Sequence, residues 1–235
     1  MSAIVRFVLL AFILSYGLAF LAMAAHPPLG QTRWVNHIAV LGPALAAFWM
    51  VYREGVSIAS WLRERAGHVR WWWLLVPLAA LGLAALLGAP VDPVEFLIAL
   101  SIQTAFIALP EEIGWRGWLA DRMLTRYRPI VAGLATGLIW GIWHGPKVVM
   151  LPGLLLLAVA LSVILVLAYA RHGGGIGLAA LAHGSINAAI GQAAVMAPEA
   201  ERALFDLYAL VIAGLAILAL LWKRPWFVTR PATAG

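Results

Sequence analysis

Apolar residues fill this chain in long runs, broken at intervals by proline, glycine and charge. Punctuated that way, the sequence gives eight spans, at roughly 4–25, 37–52, 71–89, 94–118, 129–150, 152–170, 175–196 and 203–222. The runs are about 16–25 residues long and lack apolar–polar alternation, so the pattern predicts helices and not the strands of a barrel. The second span is short and the fourth carries two adjacent glutamates; both depart from a plain spanning helix. No internal repeat, low-complexity tract or long linker divides the chain. The expected fold class is all-α: a polytopic membrane protein with about eight transmembrane helices. Residues 1–235 then form a single integral-membrane domain.

Composition agrees with this reading. Hydrophobic residues make up 64% of the chain and charged residues 11%, and mean hydropathy is +0.94, which excludes an ordinary soluble domain. The sequence pI near 10.3 raises the possibility of nucleic acid. The basic residues, however, are scattered at span ends with no clustered face, so the expected partner is the lipid bilayer and not nucleic acid. With the N-terminus in the cytoplasm, the inner segments hold Arg6, Arg53, Arg63, Arg65, Arg70, Arg122, Arg126, Arg128, Arg171, Lys223, Arg224 and Arg230. The outer segments hold only Arg33, Lys147 and Arg202, and Arg116 lies inside the fourth span. By the positive-inside rule both termini are expected in the cytoplasm, in a bacterial inner (cytoplasmic) membrane. Ala22-Met23-Ala24 before Ala25-His26 resembles a signal-peptidase site. The apolar run ahead of it is longer than a typical h-region, and the charge alternation starts from it, so a retained helix is expected. Cysteine is absent, which excludes disulfides and thiolate ligands.

The candidate chemistry lies in three polar intrusions into these spans. Ionisable groups at membrane depth persist where they pair, line a wet cavity or react. The first intrusion is Glu111-Glu112 within Ala108–Gly117; the second is His144, ahead of Gly145-Pro146; the third is His183 with Asn187. Neighbouring helical side chains diverge by about 100°, so Glu111 and Glu112 cannot share one cavity equally. Arg116 stands four residues after Glu112, the spacing that lets carboxylate and guanidinium meet. That pair would neutralise Glu112 and leave Glu111 without a cation, a state that suits a general base. His183 and Asn187 share a helical face and form a donor pair able to hold an oxyanion. Structural alternatives stand beside each of these readings. The acids could end a helix near the interface with Arg116 snorkelling, His144 could be interfacial, and His183 with Asn187 and Ser185 could bond one helix to another. His26, His37, His68 and His172 fall at segment ends or in loops, and no function is read into them. Trp71-Trp72-Trp73, Trp222 and Trp226 stand where an aromatic belt anchors span ends.

Glu-Glu-x3-Arg-Gly, then a histidine closing an apolar span, then His-x3-Asn, in that order, resembles the CPBP family of intramembrane proteases. That family takes in CAAX prenyl-protein endopeptidases and the bacteriocin-processing or immunity (Abi) proteins. The likeness covers about residues 95–190, expected to be the catalytic core. It implies that Glu111 activates water, that Glu112, Arg116 and His144 support it, and that His183 and Asn187 stabilise the transition state. Trp140 and Trp115 depart from the usual pattern, where Phe, and Phe or Tyr, are more common. The expected activity is an intramembrane endopeptidase acting on a peptide or membrane-protein substrate, with no cofactor and no metal. Zinc held by one carboxylate and two imidazoles is the alternative, although no His-Glu-x2-His run supports it. A proton-relaying transporter or a non-catalytic immunity protein are further alternatives. Oligomeric state is left open. At about 1.5 Å per residue, Glu111 is expected some 10 Å from the cytoplasmic end of its span, His183 some 12 Å and His144 over 20 Å. On that count His144 stands apart from the other two.

Overall fold

In the computed structural model, which describes residues 2–25, 37–86, 92–172, 175–196 and 201–222, every one of the eight apolar runs is helical. No strand occurs among the described residues. His26, Arg33, Lys223, Arg224, Trp226 and Arg230 lie outside the described residues.

In chain order the helices are α1 (Ala3–Ala25), α2 (Leu41–Arg53), α3 (Ile58–Arg65), α4 (Leu75–Leu86) and α5 (Pro93–Leu124). They continue as α6 (Pro129–Trp143), α7 (Lys147–Met150), α8 (Pro152–His172), α9 (Ile176–Met196) and α10 (Glu201–Trp222). By length and composition, Ala3–Ala25, Pro93–Leu124 and Pro152–Arg171 are long and apolar enough to cross a membrane. His37–Arg53, Trp71–Leu86, Pro129–Trp143 and Phe205–Leu221 are shorter apolar helices. The chain is an integral membrane protein.

Two boundaries differ from the expected ones and one further helix appears, each for a local reason. The fourth run does not stop near residue 118 but continues to Leu124, where Arg122 pairs with Glu54 and Asp121 with Arg65. These ion pairs let the helix carry charge past the end of its apolar stretch. The fifth run ends at Trp143, not at residue 150, because Gly145 adopts φ +60 and Pro146 has no N–H to continue the ladder. Residues 58–65, too polar to span, form α3, which is held by burial of Trp61 edge-on against Phe48.

Close backbone approach fixes how the helices meet. A Cβ at Gly133 or Gly137 of α6 would stand 2.9 or 2.7 Å from the Cα of Val163 or Val159 in α8. One at Gly141 would stand 2.5 Å from Leu155 Cδ1. The three glycines, four residues apart, make a smooth ridge of the kind that lets membrane helices pack backbone to backbone. Likewise Gly114 of α5 admits Pro43 of α2, and Gly184 of α9 admits Thr104 of α5. Phe7 of α1 stacks on Trp118 at 4.6 Å and meets Trp115 edge-on at 5.9 Å. Helix α5 thus lies between α1 and α2 on one side and α9 on the other.

Candidate active site

The site is built on α5, whose start is secured by Pro93 in the first turn and by Asp92, which accepts from the Val94 and Glu95 amides at 2.9 Å. Residues Gln103–Ala108 and Ile113–Ala120 are wound as π-helix, flanking a single α-turn, Leu109–Glu112, that carries both glutamates. Wide turns of this kind cluster at functional sites because they re-aim side chains within an otherwise regular helix. Nothing in the residue pattern signals them.

The two glutamates have different surroundings. Arg116 Nη1 donates to Glu112 Oε1 at 2.9 Å, and both side chains are wholly buried. His183 Nδ1 donates to the same oxygen at 3.0 Å. Glu111 instead accepts the indole N–H of Trp140 on Oε2 at 2.7 Å. Among the described residues no protein donor reaches Glu111 Oε1, and no cation bonds to this carboxylate. The pairing of Glu112 with Arg116, expected from their spacing, is therefore present. It uses one oxygen and one nitrogen: Glu112 Oε2, Arg116 Nε and Arg116 Nη2 are buried without a protein partner. Such atoms retain capacity for water or substrate, since unmade bonds are costly in a buried site.

His144 closes α6 and donates from Nδ1 to the carbonyl of Trp140 at 2.9 Å. Its ring lies 5.9 Å from that of Trp140 and 5.2 Å from that of Trp143. The turn is anchored from α1: Trp143 Nε1 donates to Ser15 Oγ at 2.8 Å, and Tyr16 OH donates to the Trp143 carbonyl at 3.1 Å. Asn187 donates to Gln103 Oε1 at 3.4 Å, one α5 face bonding to one α9 face. His183 and Asn187 thus share a face, as expected, but each also has a partner on α5.

The expected separation of His144 is overturned. Because α5 runs on to Leu124, Glu111 stands about 20 Å from that helix end, close to the count for His144 along α6. Helix α9 starts recessed: a Cβ at Gly117 would stand 2.7 Å from Ile176 Cδ1, and the Gly175 and Gly177 amides donate to the carbonyls of Arg65 and Ala66. His183 is therefore carried to the depth of Glu112. The span ends do not share one plane, which counting residues from them assumes.

Two residues join the cluster that were not expected among the site residues, Trp140 and Gln103. Trp140 contacts it on every side: Glu111 at its N–H, the Arg116 guanidinium 4.4 Å over its ring, and His183 edge-on at 4.9 Å. Its sequence signal is the four-residue spacing to His144. Gln103 stands two turns before Glu111 in an otherwise apolar stretch, which is a usable signal. Among the described residues no three His, Asp or Glu side chains are grouped as ligands for a metal ion.

Residues 93–189, which contain the entire cluster, match the family model described as type II CAAX prenyl endopeptidase Rce1-like. A stretch of 56 residues, 24% of this chain, is 38% identical to CAAX prenyl protease 2 of Methanococcus maripaludis and covers 18% of that protein. Through this region the chain is similar to the Rce1-like CAAX prenyl endopeptidases, the family its motifs resemble.

Proposed function

We propose that this chain is an intramembrane endopeptidase that hydrolyses a peptide bond with water activated by Glu111. The observation that carries the reading is the asymmetry of the two glutamates: Glu112 is held by Arg116 and His183, while Glu111 keeps one oxygen free of protein donors. A general base needs an open acceptor atom within reach of the proton it takes. Glu111 Oε1 removes a proton from water, and the hydroxide adds to the peptide carbonyl. The proton then passes to the leaving amine as the C–N bond breaks. His183, held through Nδ1 by Glu112, and Asn187 on the same face of α9 stabilise the oxyanion, Asn187 with an amide N–H. Glu112 and Arg116 hold His183 in place, and His144 supports Trp140 through its carbonyl.

The reaction proceeds without metal on this reading. Glu112 Oε1 is already taken by two donors, and the Nδ1 atoms of both histidines are engaged in hydrogen bonds. The eight-span arrangement with both termini in the cytoplasm belongs to the same reading, supported by the distribution of Lys and Arg. The substrate is a peptide or membrane-protein segment, and the relative's name makes prenylated C-terminal peptides the first class to try.

The test is incubation of purified protein with a peptide library that includes prenylated C-terminal peptides, with new termini read by mass spectrometry. Cleavage by the wild type, persisting after chelation and desalting and absent from Glu111→Ala, is the expected result. Activity lost on chelation and restored only by about one equivalent of zinc would replace the glutamate mechanism with the metal one.

A further inference from the structure

Trp140 stands between the two carboxylates, and its two kinds of surface contact different partners. Its edge gives an N–H to Glu111 Oε2 at 2.7 Å; its face lies 4.4 Å under the Arg116 guanidinium, which bonds to Glu112. The side chain is 3% exposed. It is also fixed from several directions. The ridge of Gly133, Gly137 and Gly141 sets α6 against α8, and Ser15 and Tyr16 hold the next turn through Trp143. His183 closes the remaining side edge-on.

We propose that Trp140 is a positioning residue that makes the two adjacent glutamates unequal. Its N–H occupies Glu111 Oε2, so that Oε1 is the atom presented to water. Its ring keeps Arg116 on Glu112 by placing a π-face where the guanidinium would otherwise swing toward Glu111. The carboxylate is thereby fixed in one orientation before substrate arrives, the condition under which a base acts without reorganising. The inference deepens the peptidase reading and rests on it for its kinetic part.

Trp140→Phe tests it, because Phe keeps an aromatic face for Arg116 and removes the N–H together with part of the ring. A hydrogen bond to a charged group is lost, so kcat should fall roughly tenfold to hundredfold, with KM changed by less than about twofold. Trp140→Leu, which removes the ring face as well, should fall further. Thermal unfolding in detergent checks that both variants fold. An infrared readout needs no turnover. The Glu111 carboxyl band, identified by subtracting the Glu111→Gln spectrum, should shift in Trp140→Phe. An unshifted band, or a kcat for Trp140→Phe within about twofold of wild type while Glu111→Gln is inactive, overturns the role of Trp140 alone. An active Glu111→Gln overturns Glu111 as the base, and with it the reading on which this inference rests.

Discussion

Two of the arginine–carboxylate pairs that involve helix α5 do different work. Arg116 with Glu112 lies mid-helix with both side chains wholly out of contact with solvent. Arg65 with Asp121 lies at the end of the helix, at 2.8 Å, with the side chains 20% and 30% exposed. The outer pair is more fully bonded, with only Arg65 Nε left without a partner among the described residues: Tyr169 OH donates to Asp121 Oδ1 at 3.3 Å, and Arg65 lies 5.3 Å over the Trp61 ring. Partial burial pulls the Arg65 guanidinium down. The hydrogen bond and charge of Asp121 more than offset this, leaving it above its ordinary value and charged throughout the working range. This pair fastens α3 and α8 to the end of α5. The inner pair is incompletely bonded, with three polar atoms unpartnered and a histidine sharing its acceptor. Stability alone would favour apolar side chains at such a place, since a buried ion pair regains its desolvation cost only with excellent geometry. A pair at depth with three unpartnered atoms is the arrangement expected of a working site, and a partly exposed pair with one is that of a clasp.

The sharpest way to break this contrast is within the Glu-Glu turn. Glu111→Gln should lower turnover at least about a thousandfold with an unchanged melting point, since the carboxamide keeps shape but takes no proton. Glu112→Gln should retain part of the activity yet lose about 3 kcal/mol of stability, because Arg116 and His183 lose their shared anion. Peptide cleavage and thermal unfolding, measured on both variants, decide it. Two variants equally inactive and equally stable would remove the asymmetry between the glutamates.

A smaller effect is expected away from charge. Gly137→Ala places a methyl group against the Val159 backbone, which has no side-chain rotamer to yield. It should cost about 1–3 kcal/mol and lower activity by displacing Trp140 and His144 on the same helix. An unfolding midpoint equal to wild type would show that α6 and α8 are free to separate. The smallest effect belongs to the outer clasp. Asp121→Asn should cost under about 1 kcal/mol and leave kcat/KM within about twofold, as partly exposed pairs generally do. A large loss of activity there would mean that the clasp, too, belongs to the working site.

Much of this was legible in the residues. The eight apolar runs become helices with most ends displaced by only a few residues, because an apolar run this long needs its backbone bonds satisfied within itself. The Glu112–Arg116 pair and the common face of His183 and Asn187 follow from four-residue spacing, a property of any helix. Those features are local, and local periodicity carries them. The relative height of the helices is not local. The extension of α5 to Leu124 depends on partners in Glu54 and Arg65, and the recessed start of α9 depends on carbonyls of Arg65 and Ala66. Residue counting therefore set His144 too far from Glu111. The part of Trp140 depends in the same way on contacts that residue order does not encode. Sequence determined which groups are polar at depth and which can pair along one helix. Only the tertiary structure decided which carboxylate oxygen stays open, because that depends on donors brought from α6 and α9 by glycine-mediated packing.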